Sequence, residues 1–299
     1  MSTAENRLKR VAAGFSGQLG VAARNLATGE AFMLNEHMVF PTASSIKVPI
    51  LYEVFRQVEA RILSLDDRIQ LRASDITQGS GVLRDMSPGL APTVHDLAML
   101  MIIISDNTAT NMVIELVGGV EPVNETMHER LGLPAIVLNR PILFNPENED
   151  SRPFGVASPF SLMRLIELIA SERPLGEEAS HQMMSILRRQ HGFNQLPRFL
   201  GYNPFAAELG EAQTFWIGNK TGSMPGVRAD TGAIRVPCDQ LLVYGVMTQG
   251  STDTGFSGEN EGEITNGLVG RILVEHWWPE GFASGQIGID SPHLRRLNE

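Results

Sequence analysis

Phe215-Trp216-Ile217-Gly218-Asn219-Lys220-Thr221-Gly222 marks the point where this chain changes character. Residues 215–219 form a short apolar run of strand length that ends in a charged, hydroxylated and then glycyl position. Beyond it, residues 232–236 and 241–248 read as further buried strands, and 265–278 as a closing helix. Before it, from about Ser44 to Leu200, apolar residues recur mostly at helical spacing, over 48–60, 94–104, 109–116, 159–170 and 178–189. At the other end, residues 18–35 read as a strand pair turned at Ala27-Thr28-Gly29-Glu30, behind an amphipathic helix. Strands at both ends with helices between predict an α/β lobe built from both termini, with a helical lobe inserted. Residues 139–157 form the longest irregular stretch, and 279–299 carry no strong pattern, so a loosely packed tail is expected.

Three short motifs occur in order along this frame: Ser44-Ser45-Ile46-Lys47, Ser105-Asp106-Asn107 and Lys220-Thr221-Gly222. A Ser-x-x-Lys tetrad arises by chance about once in a chain of this size, so alone it reads as an N-cap serine beside an exposed lysine. The ordered trio is what carries weight. Ser44 opens a predicted helix, where its N–H and the helix dipole favour an oxyanion. Lys47 lies one turn on along the same face, and a desolvated lysine near another cation loses its proton readily enough to act as the base for a serine. Ser105 ends a run, 97–104, that is apolar almost all round, so the polar triplet there must be hydrogen-bonded or face a cleft. It is suited to pass a proton to a leaving group, Asn107 to hold a substrate amide, and Asp106 to cap the next helix. Lys220 and Thr221 offer charge and a hydroxyl to a carboxylate, and Gly222 lets a substrate lie close along the strand edge. Ser223 offers a backbone N–H as a second oxyanion donor opposite that of Ser44. Arg228, in Gly226-Val227-Arg228, reads either as a second cation for the substrate carboxylate or as a solvated turn arginine.

Composition narrows the classes. The chain has 299 residues, 42% of them hydrophobic, enough for one large or two intimate domains. Its net charge is −10 with the acids scattered, so no basic stripe points to nucleic acid or an anionic membrane, and a small-molecule partner is expected. Cys238 is the only cysteine, which excludes an intramolecular disulfide and argues against a thiolate zinc site. The seven histidines show no metal-ligand spacing, so neither metal nor cofactor is expected. No stretch approaches the ~20 apolar residues of a membrane span. Arg7, Lys9 and Arg10 precede a mildly apolar run, but Gly14, Ser16, Gly17 and Gln18 break it. A cytoplasmic, monomeric enzyme is the expectation, with a periplasmic or secreted location if a leader has been removed.

The trio resembles that of the class A serine β-lactamases and their penicillin-binding relatives. The resemblance extends to Phe40-Pro41-Thr42-Ala43-Ser44, Thr93-Val94-His95-Asp96-Leu97, Asn107-Thr108-Ala109-Thr110-Asn111 and Ser158-Pro159, and covers about residues 18 to 278. It implies an antiparallel-sheet α/β lobe from residues 1–42 plus 205–299, a helical lobe from 43–204, and an active site between them. It also implies that Ser44, Lys47, Ser105 and Lys220 open a β-lactam amide through a Ser44 acyl-enzyme, with Asn107, Thr221, Gly222, Ser223 and Arg228 binding the substrate. One position departs from the family. The class A enzymes carry, within Arg-x-Glu-x-x-Leu-Asn of an Ω-shaped loop, a glutamate that activates the deacylating water. With Arg140 matched to that arginine, Ile142 falls at the glutamate, and an isoleucine accepts no proton. Glu147 and Glu149 lie nearby but out of register; Glu147 is the candidate replacement base if the loop folds differently. Acylation is therefore expected to be intact and deacylation impaired. The alternatives are an esterase, amidase or DD-peptidase on the same scaffold, and a non-catalytic β-lactam-binding sensor.

Overall fold

The amphipathic first segment forms α1 (Thr3–Ala13), which buries Ala4, Leu8 and Val11 along one face. The chain then makes β1 (Gln18–Asn25), β2 (Ala31–Leu34) and a short β3 (Phe40–Pro41). The helical region contains α2 (Lys47–Glu59), α3 (Val94–Ile103), α4 (Asn107–Leu116), α5 (Val120–Glu125), α6 (Pro159–Ala170) and α7 (Glu177–Arg188). Two further short strands, β4 (Val137–Leu138) and β5 (Gly155–Ala157), join β3 in a small sheet of order β3-β5-β4. The last third supplies β6 (Trp216–Met224), β7 (Val227–Val236), β8 (Gln240–Gln249), α8 (Glu261–Trp277) and α9 (Pro279–Ala283). This is a computed structural model and it describes residues 3–143, 152–171, 175–212, 214–237 and 239–297.

The main sheet is antiparallel with order β2-β1-β8-β7-β6, so strands from both ends of the chain pair through β1 and β8. Its hydrophobic strands are buried on both faces, and each face has its own core. One joins Ala22, Ala229, Ala233, Val243 and Met247 to the inserted helices; the other joins Val21, Ile217, Ile234 and Val246 to α1 and α8. Two-sided burial explains why these strands read as continuous apolar runs and not as alternation. β6 is an edge strand, and its Lys220-Thr221-Gly222-Ser223 end lies opposite Thr231, Asp230, Ala229 and Arg228 of β7.

Two local expectations change. The tail does not pack loosely: Ile287 and Leu297 are buried, Gly288 N–H donates to Leu200 O, and the Arg10 guanidinium donates to Leu297 O. Its apolar residues are too far apart to show a period, yet they land on the α1–α8 surface. The second change is at Ser44, which sits in a 3-10 turn, Ala43–Ile46, because α2 begins only at Lys47.

Candidate active site

That 3-10 turn is built by local bonds. Ser45 N–H and Oγ both return to Thr42 O, at 3.1 and 2.7 Å, and Lys47 N–H donates to Ser44 O. Residues i and i+3 eclipse in a 3-10 turn, so Ser44 and Lys47 share one side while Ser45 is buried and spent. Ala43, immediately before Ser44, has φ 45°, a left-handed conformation that costs an L-residue about 1 kcal/mol or more. Ser105 is held the same way at φ 59°. Non-glycine residues in this region persist only where surrounding packing imposes them.

Lys47 ties the first motif to the second. Its amine lies 2.8 Å from Ser105 O, 3.0 Å from Ser105 Oγ and 2.9 Å from Asn107 Oδ1, and the side chain is wholly buried. Burial first, then the charge of Lys220, hold its ammonium well below the ordinary lysine value, with Asp106 pulling the other way. Such an amine gives up its proton more readily than an ordinary lysine, as a base for a hydroxyl requires. Its three acceptors all belong to the Ser105–Asn107 turn, so Lys47 Nζ and Ser105 Oγ lie within hydrogen-bond distance of each other.

Gly222 brings the third motif in. A Cβ there would lie 2.4 Å from Thr42 O and 2.8 Å from Ser44 N, so only glycine lets the edge of β6 press against the nucleophile turn. The Ser44 N–H and the Gly222–Ser223 peptide thus become neighbours. Lys220 is buried on the same strand, with its amine donating to Thr221 O at 2.7 Å. Desolvation lowers it to about 7, opposed by the carboxylate of Asp230. Asp230 is itself pushed up to about 7 by burial, against the hydrogen bonds from Asn219, Leu196 N–H and Tyr244.

Arg228 is not the solvated turn arginine of one sequence reading. Its guanidinium is 1% exposed, paired with Glu263 of α8 at 3.2 Å, and donates to Met224 O, Val227 O and Gly255 O. It also lies under the Phe256 ring, 5.0 Å from the centroid. A buried guanidinium needs such partners, and α8, distant in sequence, supplies the carboxylate. Arg228 is therefore a buried cation whose charge is already paired with Glu263.

Ile142 is also anchored. Asn111 Oδ1 accepts from Ile142 N–H at 2.9 Å and Asn111 Nδ2 donates to Ile142 O at 2.7 Å, while the isoleucine is 2% exposed. Asn111 lies one turn beyond Asn107 on α4, so both amides project from one helix face. Glu147 and Glu149 lie outside the described residues.

Sequence reading passed over the Gln78-Gly79-Ser80-Gly81 segment. Ser80 Oγ donates to Ser105 O at 2.6 Å, Asn107 N–H donates to Ser80 O, and Asn107 Nδ2 donates to Gln78 O. The available signal was the glycine pair: Gly81 has φ 109°, and a Cβ there would collide with the Asp106 carboxylate at 2.2 Å. Asp106 caps α4 through Ala109 N–H at 2.9 Å and also accepts from Val82 and Leu83 N–H at 2.6 and 2.8 Å. Asp106→Ala removes a cap and strands buried donors, so a loss of about 3 kcal/mol is expected in urea unfolding. A loss under about 1 kcal/mol would show that the loop does not depend on this carboxylate.

Comparison with known proteins gives the family and the fold. The Beta-lactamase enzyme family matches residues 3–277 of the chain. The chain belongs to that family. Its members are serine hydrolases acting on β-lactam amide bonds, and the chain is an enzyme of this type. It is similar to a β-lactamase of Bacteroides uniformis, 28% identical over 87% of this chain and 88% of that protein. Among solved structures it is similar to a β-lactamase from Sphaerobacter thermophilus, with TM-score 0.80 and 31% identity over 93% of this chain and 97% of that one. It is also similar to a leucine-to-glutamate variant of PBP-A, solved as an acyl-enzyme complex with penicillin G. There the TM-score is 0.79 and the identity 27%, over 92% of this chain and 96% of that one. The α/β fold with an antiparallel sheet and helices is that of the class A enzymes.

Proposed function

We propose that this family member is acylated by β-lactams at Ser44 and releases the acyl group slowly. Ser44 Oγ attacks the amide carbonyl as Lys47 takes its proton, and the Ser44 and Ser223 N–H groups hold the oxyanion. The C–N bond breaks as Ser105 Oγ gives its proton to the leaving nitrogen and Lys47 replaces it. Lys220, Thr221 and Ser223 hold the substrate carboxylate, while Arg228, already paired with Glu263, supports the strand turn from behind. Asn107 holds the acyl-side amide.

The observation that carries slow release is the double amide clamp between Asn111 and Ile142. It anchors an apolar residue to the helix face whose other amide, Asn107, touches Lys47. That is the residue which the ungapped reading from Arg140 puts in place of a water-activating glutamate. Support for acylation also comes from the likeness to the PBP-A variant, whose structure is an acyl-enzyme complex with penicillin G.

Intact-mass spectrometry over time with benzylpenicillin, followed by peptide mapping, tests the reading. An adduct that forms on Ser44 and persists for many minutes is expected, and fast turnover without accumulation would overturn slow release. Ile142→Glu should shorten the adduct lifetime only in part, because it supplies a base but also buries a carboxylate, at a stability cost of about 1–3 kcal/mol. Glu147→Gln should leave the lifetime unchanged; if it traps the adduct of a fast parent, Glu147 is the base and Ile142 is not at the deacylation position.

A further inference from the structure

We infer that Gln195, oriented by Asn266, is a positioning residue that aims the Ser223 N–H at the developing oxyanion. This rests on the proposed reading of Ser44 and Ser223 as the two oxyanion donors.

Both side chains are wholly buried, although neither belongs to any of the three motifs. Gln195 follows α7 and lies against the edge strand β6. Its Nε2 donates to Gly222 O at 3.1 Å and reaches Ser223 Oγ at 3.3 Å. Gly222 O and Ser223 N–H are the two ends of a single trans peptide unit, which is planar, so they point in opposite directions. The β6–β7 ladder orients this peptide coarsely, with Gly222 opposite Ala229, and a second donor fixed on the oxygen refines the direction of the N–H. Donation to the oxygen also polarises the amide, which strengthens the N–H as a donor. That peptide lies beside Ser44 N, as the close approach at Gly222 requires.

Asn266 determines which end of the Gln195 amide faces the strand. From α8, its Nδ2 donates to Gln195 Oε1 at 2.9 Å. With its oxygen so occupied, Gln195 must turn its nitrogen toward Gly222. Asn266 Oδ1 has no hydrogen-bond partner although it is buried, so the bond to Gln195 is the one its side chain makes among the described residues. Burying an amide for a single bond is a poor bargain for stability alone. The backbone beside the relay is pinned as well: Leu196 N–H donates to Asp230 Oδ2 at 3.0 Å, and Asp230 faces Thr221 across the ladder.

The test uses two length-conserving variants of the full chain, Gln195→Met and Asn266→Leu, with benzylpenicillin and a boronic acid that forms a tetrahedral adduct on serine. In each folded variant the acylation rate constant should fall about 10- to 100-fold, somewhat less than the loss on deleting an oxyanion donor outright. Boronate affinity should fall in parallel, while the non-covalent dissociation constant for penicillin stays within about twofold. The double variant should be no slower than Gln195→Met, since Asn266 acts through Gln195. Unchanged acylation in the variants, an equal loss of covalent and non-covalent binding, or additive losses in the double variant would overturn the inference while leaving the Ser44 reading intact. A parent that forms no Ser44 adduct overturns that reading and this inference with it. If Gln195→Met does not fold, Asn266→Leu decides the matter by the same three measurements.

Discussion

Ser44→Ala should abolish both β-lactam hydrolysis and covalent labelling, a loss of at least about 10⁴-fold, while leaving the fold intact. The nearest hydroxyl cannot substitute. Ser45 is buried and its Oγ is committed to Thr42 O at 2.7 Å, so freeing it would break the 3-10 turn that presents position 44. Ser105 Oγ and Ser80 Oγ are engaged with Lys47 and with Ser105 O. Removing one oxygen from a half-buried side chain leaves the turn's own bonds in place, so thermal unfolding should move by no more than a few degrees. Mass spectrometry with benzylpenicillin reads the result. An adduct that persists in the variant, or maps to another serine, removes Ser44 from its role.

Lys47→Arg should cost acylation about 10³-fold or more, near the upper range for loss of a general base. Guanidinium does not release its proton at working pH, and its planar fork does not match three acceptors arranged around a single amine. In the parent, acylation should rise with pH through a group well below the ordinary lysine value of 10.5, because burial and Lys220 depress Lys47 and only its neutral amine accepts the proton. Lys220 acts in the opposite sense. Its charge is lost as pH rises through about 7, so acylation by a carboxylate-bearing β-lactam should decline on the alkaline side. A neutral ester without the carboxylate should keep its rate there. The stability linkage has a definite sign: between about 7 and 10.5 the unfolded chain binds more protons at Lys220, so that group's contribution to stability rises with pH. Asp230, raised from 3.8 to about 7, contributes stability that is lost as pH rises across that lower window. Retained acylation in Lys47→Arg would exclude this lysine as the base.

Local sequence determined the parts that depend on neighbouring residues. The helical runs at 94–104 and 159–170 became α3 and α6 with little change, because their caps, Thr93 and Ser158, lie beside the first helical turn and bond its third N–H. Asp106 read as a cap and caps α4 for the same reason. Serine, lysine and glycine in three spaced motifs identified the chemistry, since a nucleophile, a base and a close backbone approach each demand particular residue types. The loosely packed tail and the reading of Arg228 were beyond such reasoning. What settles Arg228 is Glu263, 35 residues away on another element, and what settles Asn107 is a glycine-flanked loop nearly as distant. Gln195 carried no motif, and its partners Gly222 and Asn266 lie 27 and 71 residues off. Hydrophobic period and capping are written into adjacent residues, whereas a buried charge or amide takes whatever partner the packed elements bring within about 3 Å. The motifs thus named the candidate reacting groups, and only the tertiary structure decided which side chains hold them in place.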